Sequence, residues 1–187
     1  MVRSLIIAAA LAGAVTTLPR AHAQDEAQVP TITQCGEILA GLMTLSDGYY
    51  ATDKDGKAII GQDGKAVKVP YKLGKLRLPI AADITLLRGV LKDAEEARVA
   101  MVKEMIPDMP DVGPDPLSPS EEYRRYTRSD KYKKFDEAYK AMMSSGPVGA
   151  RLTLARIKEA DLKIGDDPGQ NPVPPIALSQ LEPILDR

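Results

Sequence analysis

Five acidic side chains sit where they could do chemistry. Asp93, Glu95, Glu96 and Glu104 lie within one stretch of helical patterning, and Glu37 lies within another. A pair of carboxyl groups, one protonated and one ionised, can cleave a glycosidic bond without help from any other residue type. These residues therefore open one catalytic possibility, a small carboxylate-dependent hydrolase of cell-wall glycan. It requires two carboxyl groups facing one cleft, one of them poorly solvated. Spacing along the chain does not choose the pair.

Most other chemistries are excluded by residue type. The chain has one histidine, His22, and one cysteine, Cys35. Residues 1–23 have the form of a secretory signal peptide. Arg3 supplies the basic start, Leu5 to Val15 an eleven-residue apolar run, and Ala21-His22-Ala23 a small-x-small cleavage site. The run is too short to span a membrane, which takes about 20 residues. No cysteine follows it closely enough for lipid attachment. Cleavage after Ala23 removes His22 and leaves a mature chain without histidine. Histidine-dependent triads, Cys–His nucleophiles, and zinc, copper or haem held by imidazole are then excluded, and no cofactor is expected. A single cysteine excludes an intramolecular disulfide. Cys35 reads as a small buried side chain, with an intermolecular disulfide as its functional alternative.

The motif inventory adds no catalyst. Gly56, Gly61, Gly64 and Gly74 are too widely spaced for a phosphate-binding loop. Asp53-Lys54-Asp55-Gly56 resembles the start of a calcium loop. Aligning its glycine, however, puts Ala51 and Gln62 where carboxylate ligands are required. Residues 121–140 mix tyrosines with seven basic and five acidic residues, too little net charge for a nucleic-acid face.

The surviving non-catalytic pattern is a basic one. Residues 50–77 carry seven Lys or Arg against three Asp, whereas 93–122 carry nine acids against two bases. Two readings stay open: the surfaces complement each other within one molecule, or they form a dipolar surface for a charged partner or for head-to-tail association. The expected contact surface comprises Tyr49, Tyr50, Lys54, Lys57, Lys65, Lys68, Tyr71 and Lys72, with the tyrosines as anchors or as packing residues. Without His22, Arg3 and Arg20, the mature chain has 23 basic and 26 acidic residues, net −3. That balance gives no general attraction to nucleic acid or anionic lipid.

The elements that must position these residues are mainly helices. From Thr33, the run CGEILAGLMTL predicts a first helix, capped by Thr31 or Thr33 and ended by Asp47-Gly48. Asp55-Gly56 and Asp63-Gly64, eight residues apart and each followed by Lys-Ala, predict hairpin turns within a small antiparallel sheet over 49–72. Ile80 to Ile106 predicts the longest helix, with Pro79 in its first turn and a stripe of Ile84, Leu87, Leu91, Ala94, Arg98, Met101 and Met105. Arg98 in that stripe either snorkels from the rim of the core or recognises a carboxylate.

Pro-rich loops are expected at 107–119 and 165–175. A capping box at Ser118-Pro119-Ser120-Glu121 predicts a third helix running to about Ser144, with Tyr132, Phe135, Tyr139 and Met142 on its core face. Residues 151–158 could be a strand completing the hairpin sheet, and Ile176 to Leu185 a short helix acting as a latch.

The expected fold is thus α+β, mainly helical: three main helices and a short C-terminal helix around a small antiparallel sheet. Residues 24–31 would be a flexible arm and 32–187 a single domain. The expected function is that of an exported, periplasmic or secreted, non-enzymatic interaction protein that binds a protein partner or itself, with the glycan hydrolase as the alternative. An apolar-ligand carrier would instead need a sizeable dry pocket between the helices.

Overall fold

The computed structural model describes residues 29–113, 115–147, 152–165 and 170–186. The signal peptide expected at 1–23 and most of the arm at 24–31 lie outside the described residues, as do Pro114 and residues 166–169 of the two expected loops, residue 151 of the expected strand, and Arg187.

The first helix, α1 (Ile32–Asp47), starts with a complete capping box: Thr31 Oγ1 accepts from Gln34 N–H, and Thr31 N–H donates to the Gln34 side chain. It buries Ile32, Cys35, Ile38, Leu39, Leu42 and Leu45, together with Gly41. That set is too wide for one neighbour. One side meets α2 (Arg77–Met105), and the other meets α6 (Pro175–Leu181). Ile32 lies near Val90 and Ala94, and Leu45 near Ile80 and Ala81, so α1 and α2 run antiparallel.

The connection between them is a β excursion containing β1 (Tyr49–Tyr50) and β2 (Lys68–Val69), paired antiparallel. It springs from Gly48, at φ 82°, where a Cβ would lie 2.3 Å from the Val69 carbonyl oxygen. Only glycine fits there.

α2 begins at Arg77, three residues before the expected start, after a 3₁₀ turn over Gly74–Leu76. Pro79 is its third residue, where an N–H would lack an intrahelical partner anyway. The first half of α2 buries Ile80, Ile84, Leu87 and Val90 against α1. In the second half Leu91, Ala94, Arg98, Met101 and Met105 are half-buried.

The expected third helix is two. Ser120, not Ser118, caps α3 (Glu121–Tyr126) by accepting from Tyr123 N–H. Thr127-Arg128 then turn, and the Ser129 hydroxyl caps α4 (Asp130–Met143) through Tyr132 N–H. Ser129-Asp130 is itself a start signal, and its capping bond replaces helix continuation. The aromatic stripe survives: Tyr132, Phe135 and Tyr139 succeed one another at ring separations of 5.8 and 6.1 Å, with Phe135 buried.

Residues 152–158 do not join the hairpin sheet. Only β3 (Ile157–Lys158) is strand, and it pairs in parallel with β4 (Leu185–Asp186). The reason lies in the neighbours. Ala155 N–H is taken by the Asp83 carboxylate on α2 (3.0 Å), and Arg156 reaches Asp186 and the Pro183 carbonyl at 3.1 and 2.7 Å. The segment is thereby held beside the C-terminus. A short α5 (Glu159–Leu162) follows β3. After α6, a 3₁₀ turn at Glu182–Ile184 containing Pro183 leads into β4.

The buried Asn171 side chain joins three segments. Its amide accepts from Lys72 N–H and donates to the carbonyls of Lys72 and Leu162. Among the described residues the fold is therefore mainly helical α+β, with six α-helices and two two-stranded sheets, one antiparallel and one parallel.

α6 can approach α1 only because of Gly41. A Cβ there would meet Leu181 Cγ at 2.9 Å and the Ala177 carbonyl oxygen at 3.1 Å. Gly41→Ala is expected to lower stability by about 1–3 kcal/mol through overpacking. Gly36→Ala, on the same helix with nothing within 4 Å of the new methyl, should raise it by roughly 0.5–1 kcal/mol. Urea unfolding of the two variants side by side reads the difference. Equal effects would show that the α1–α6 contact is not close.

Candidate interaction surface

The β excursion is built from an eight-residue period. Its three segments meet at Ala51, Ile59 and Val67, which form a closed ring of backbone hydrogen bonds. Ala51 N–H donates to Val67 O (2.9 Å), Val67 N–H to Ile59 O (2.8 Å), and Ile59 N–H to Ala51 O (2.9 Å). Three antiparallel arms radiate from this hub. One is β1 with β2, leading back to the body. The second is bridged at Thr52 and Ala58, the third at Ile60 and Ala66.

The two outer arms end in equivalent turns. In the first, Gly56 N–H donates to Asp53 O and Asp53 N–H to Lys57 O; in the second, Gly64 N–H donates to Gly61 O and Gly61 N–H to Lys65 O. Gly56 and Gly64 take φ of 77° and 74°, the left-handed conformation that closes such three-residue hairpin loops. Asp53 Oδ1 accepts from Asp55 and Lys57 N–H, and Asp63 Oδ1 from Lys65 N–H. The repeated DGKA is therefore turn chemistry.

Side chains alternate along each arm, and paired residues share a side. Tyr50, Thr52, Ala58, Ile60, Ala66 and Lys68 consequently form one ring-shaped face of this clover. Tyr50 and Ile60 are 60% and 58% exposed. Lys68 Nζ lies 5.8 Å from the Tyr50 ring centroid, on the same side, and 3.6 Å from Asp47. Lys54, Lys57 and Lys65 stand exposed on the two tips. The opposite side carries Tyr49, Ala51, Val67 and Val69, which are half-buried, and Ile59, which is 43% exposed.

The structure thus brings together most of the expected contact residues and separates three. Tyr50, Lys54, Lys57, Lys65 and Lys68 share the clover. Tyr71 is core: its ring packs on Tyr49 at 5.2 Å, its hydroxyl donates to the Pro172 carbonyl (3.4 Å), and burial raises its pKa. Tyr49 is half-buried beside it. Lys72 lies at the foot of the clover, its backbone clasped by Asn171. Ile60, Thr52, Ala58 and Ala66 belong to the face and were missed. The eight-residue spacing of the Asp-Gly turns was the signal that could have placed them.

The carboxylates expected for hydrolysis are arranged differently. Glu37, Asp93, Glu96 and Glu104 are exposed. Glu95 receives two 2.7 Å hydrogen bonds from Arg98, which hold its carboxyl below the usual range, the wrong direction for a general acid. Arg98 therefore finds its carboxylate on its own helix, at the rim. Among the described residues Asp83 is the buried carboxylate, 6% exposed. Desolvation raises its pKa, against the lowering effect of Ala155 N–H.

Among the described residues no group of three or more His, Cys, Asp or Glu is placed to hold a metal. The cleft between α1, α2 and α4, lined by Ile32, Val90, Ala94 and Met142, measures about 160 Å³; ligand pockets run to roughly 300–1,000 Å³. Beside the clover, a cleft of about 610 Å³ opens between Ser46, Tyr71, Lys72, Gly74 and Arg77. Among the described residues no helix is long and apolar enough to cross a membrane. Comparison with protein-family models, with characterised proteins and with solved structures finds no match.

Two outcomes follow for the buried groups. Asp83 binds its proton more tightly in the folded than in the unfolded chain. Its contribution therefore favours folding at low pH and is lost as pH rises through the carboxylate range. Asp83→Asn, which keeps an oxygen for Ala155, should be at least as stable as the parent at pH 7, with its advantage shrinking on acidification. Asp83→Ala should lose about 1–3 kcal/mol at either pH. Thermal unfolding between pH 3 and 7 decides it; an Asn variant weaker at neutral pH would reverse the argument. Cys35 is wholly buried and desolvation raises its thiol pKa, so folded protein should resist thiol reagents that label it rapidly in denaturant.

Proposed function

We propose that the chain is an exported, periplasmic or secreted, non-enzymatic binding protein whose contact surface is the ring-shaped face of the clover. One observation carries the reading: exposed Tyr50 and Ile60 lie on a backbone fixed by a closed hydrogen-bond ring, with Lys54, Lys57, Lys65 and Lys68 around them. Aromatic and aliphatic anchors on a rigid support lose little entropy on binding. Lysines at the rim favour an acidic partner and speed its approach. The leader at 1–23 and the loss of His22 with it support export and the non-enzymatic character.

A photo-cross-linking residue at Ile60, with a control at exposed Thr85 on α2, tests the surface in the native host. A discrete adduct from position 60, absent from position 85 and lost in Lys57→Glu/Lys65→Glu, is expected. Indistinguishable adducts from both positions, or none, would sink the reading. Mass spectrometry of the same material should find Gln24 as the first residue.

A further inference from the structure

The occupant of the clover face can be identified from the opposite end of the molecule. α2 has 29 residues and is therefore a rod about 43 Å long. The clover stands at its N-terminal end. At its C-terminal end residues 107–113 and 115–120 belong to a loop whose base is closed: Ser120 N–H donates to Val112 O (2.8 Å), and Ser120 Oγ to Asp111 O (3.3 Å). The tip is a fixed turn in which Asp115 Oδ1 accepts from Leu117 N–H (2.9 Å) and Asp115 O from Ser118 N–H (3.0 Å). It presents Leu117 at 95% exposure, the highest among the exposed large apolar residues. Asp111, Asp115, Glu121 and Glu122 flank it along the chain. Only Glu121 among these has an ion pair with a described residue, Arg125.

One end is thus an apolar knob in an acidic rim, and the other an apolar face in a basic rim. They cannot meet within one molecule: the rod separates them by several Debye lengths, each about 8–10 Å. Pairing clover to clover, or tip to tip, would set like charges against each other. We propose that the loop tip of one copy docks on the clover face of the next, with Leu117 seated between Tyr50 and Ile60. The contact is heterologous, and repeating it head to tail gives a chain or a ring. This rests on the reading of the clover as a contact surface and names its occupant.

Sedimentation velocity of the purified protein tests it. At about 20 mM salt the weight-average mass should rise with concentration, and at about 0.5 M salt it should return toward the monomer. Leu117→Ser and Lys57→Glu/Lys65→Glu, all at exposed positions, should each weaken association on the order of tenfold or more. Mixing the two variants is the decisive arm, because one retains a working face and the other a working knob. The mixture should form dimers and nothing larger. A monomer at every concentration in low salt, or Leu117→Ser assembling like the parent, overturns the proposal. If the purified protein is monomeric while position 60 still cross-links to a different protein in cells, self-association falls and the contact surface stands. If neither occurs, both fall.

Discussion

The architecture depends on one helix being covered from two sides. α1 carries too wide an apolar surface for a single neighbour, and its second neighbour, α6, comes from the far end of the chain. Gly41 sets how close that neighbour sits, since Leu181 and the Ala177 carbonyl occupy the space a side chain would take. Once α6 is seated, the rest of the C-terminal segment is drawn in. β4 pairs with β3, Arg156 binds Asp186 and Pro183, and Asn171 clasps the backbone of Lys72 and Leu162. The core is then closed without the outer arms of the clover, which are joined to it through Gly48, Tyr49 and Tyr71. That independence leaves the clover's outer face open to solvent.

How much of this was written in the sequence can be argued residue by residue. Helices α1 and α2 were readable because their apolar spacing and their stops, Asp47-Gly48 and Pro107, agree. The hairpin turns were readable because Asp-Gly demands a left-handed glycine. The break at Thr127-Arg128 was not, because Ser129 competes as a cap only when the backbone before it can turn away. The partner of residues 157–158 was not either. It was decided by Asp83 taking Ala155 N–H and by Arg156 reaching the C-terminus, contacts between segments 30 and 72 positions apart. Of the contact surface, the lysines on the turns were readable directly, while Ile60 could be placed only by taking the eight-residue spacing of the turns as a three-armed arrangement. Its exposure follows from the closed ring at Ala51, Ile59 and Val67, a tertiary arrangement that a flat hairpin would lack.

Charge is distributed by the same geometry. Along the helices it is neutralised locally, by Lys92 with Glu96, Lys133 with Asp130 and Lys140 with Asp136. Exposed pairs of this kind contribute little to stability, but they leave those helical surfaces without a strong field. The two ends differ. Lys54, Lys57 and Lys65 at one end, and Asp111, Asp115 and Glu122 at the other, have no ion pair with a described residue. A long helix keeps them apart, so the opposite charges persist as separate surfaces.

Two of the clover's three aspartates are engaged within it, which sharpens the basic character of its end. Asp53 and Asp63 turn their carboxylates onto backbone N–H groups, where they fix the tips. A carboxylate engaged in this way has its lone pairs aimed at the turn and is a poor partner for anything outside. The adjoining lysines have no such use for their ammonium groups and extend from the same turns into solvent. The tips thus sort most of their charges by role, with Asp53 and Asp63 holding the shape and the lysines left for contact. This is the reverse of what a carboxylate-driven catalyst needs, because hydrolysis requires acids that are free, paired across a cleft and shielded from water.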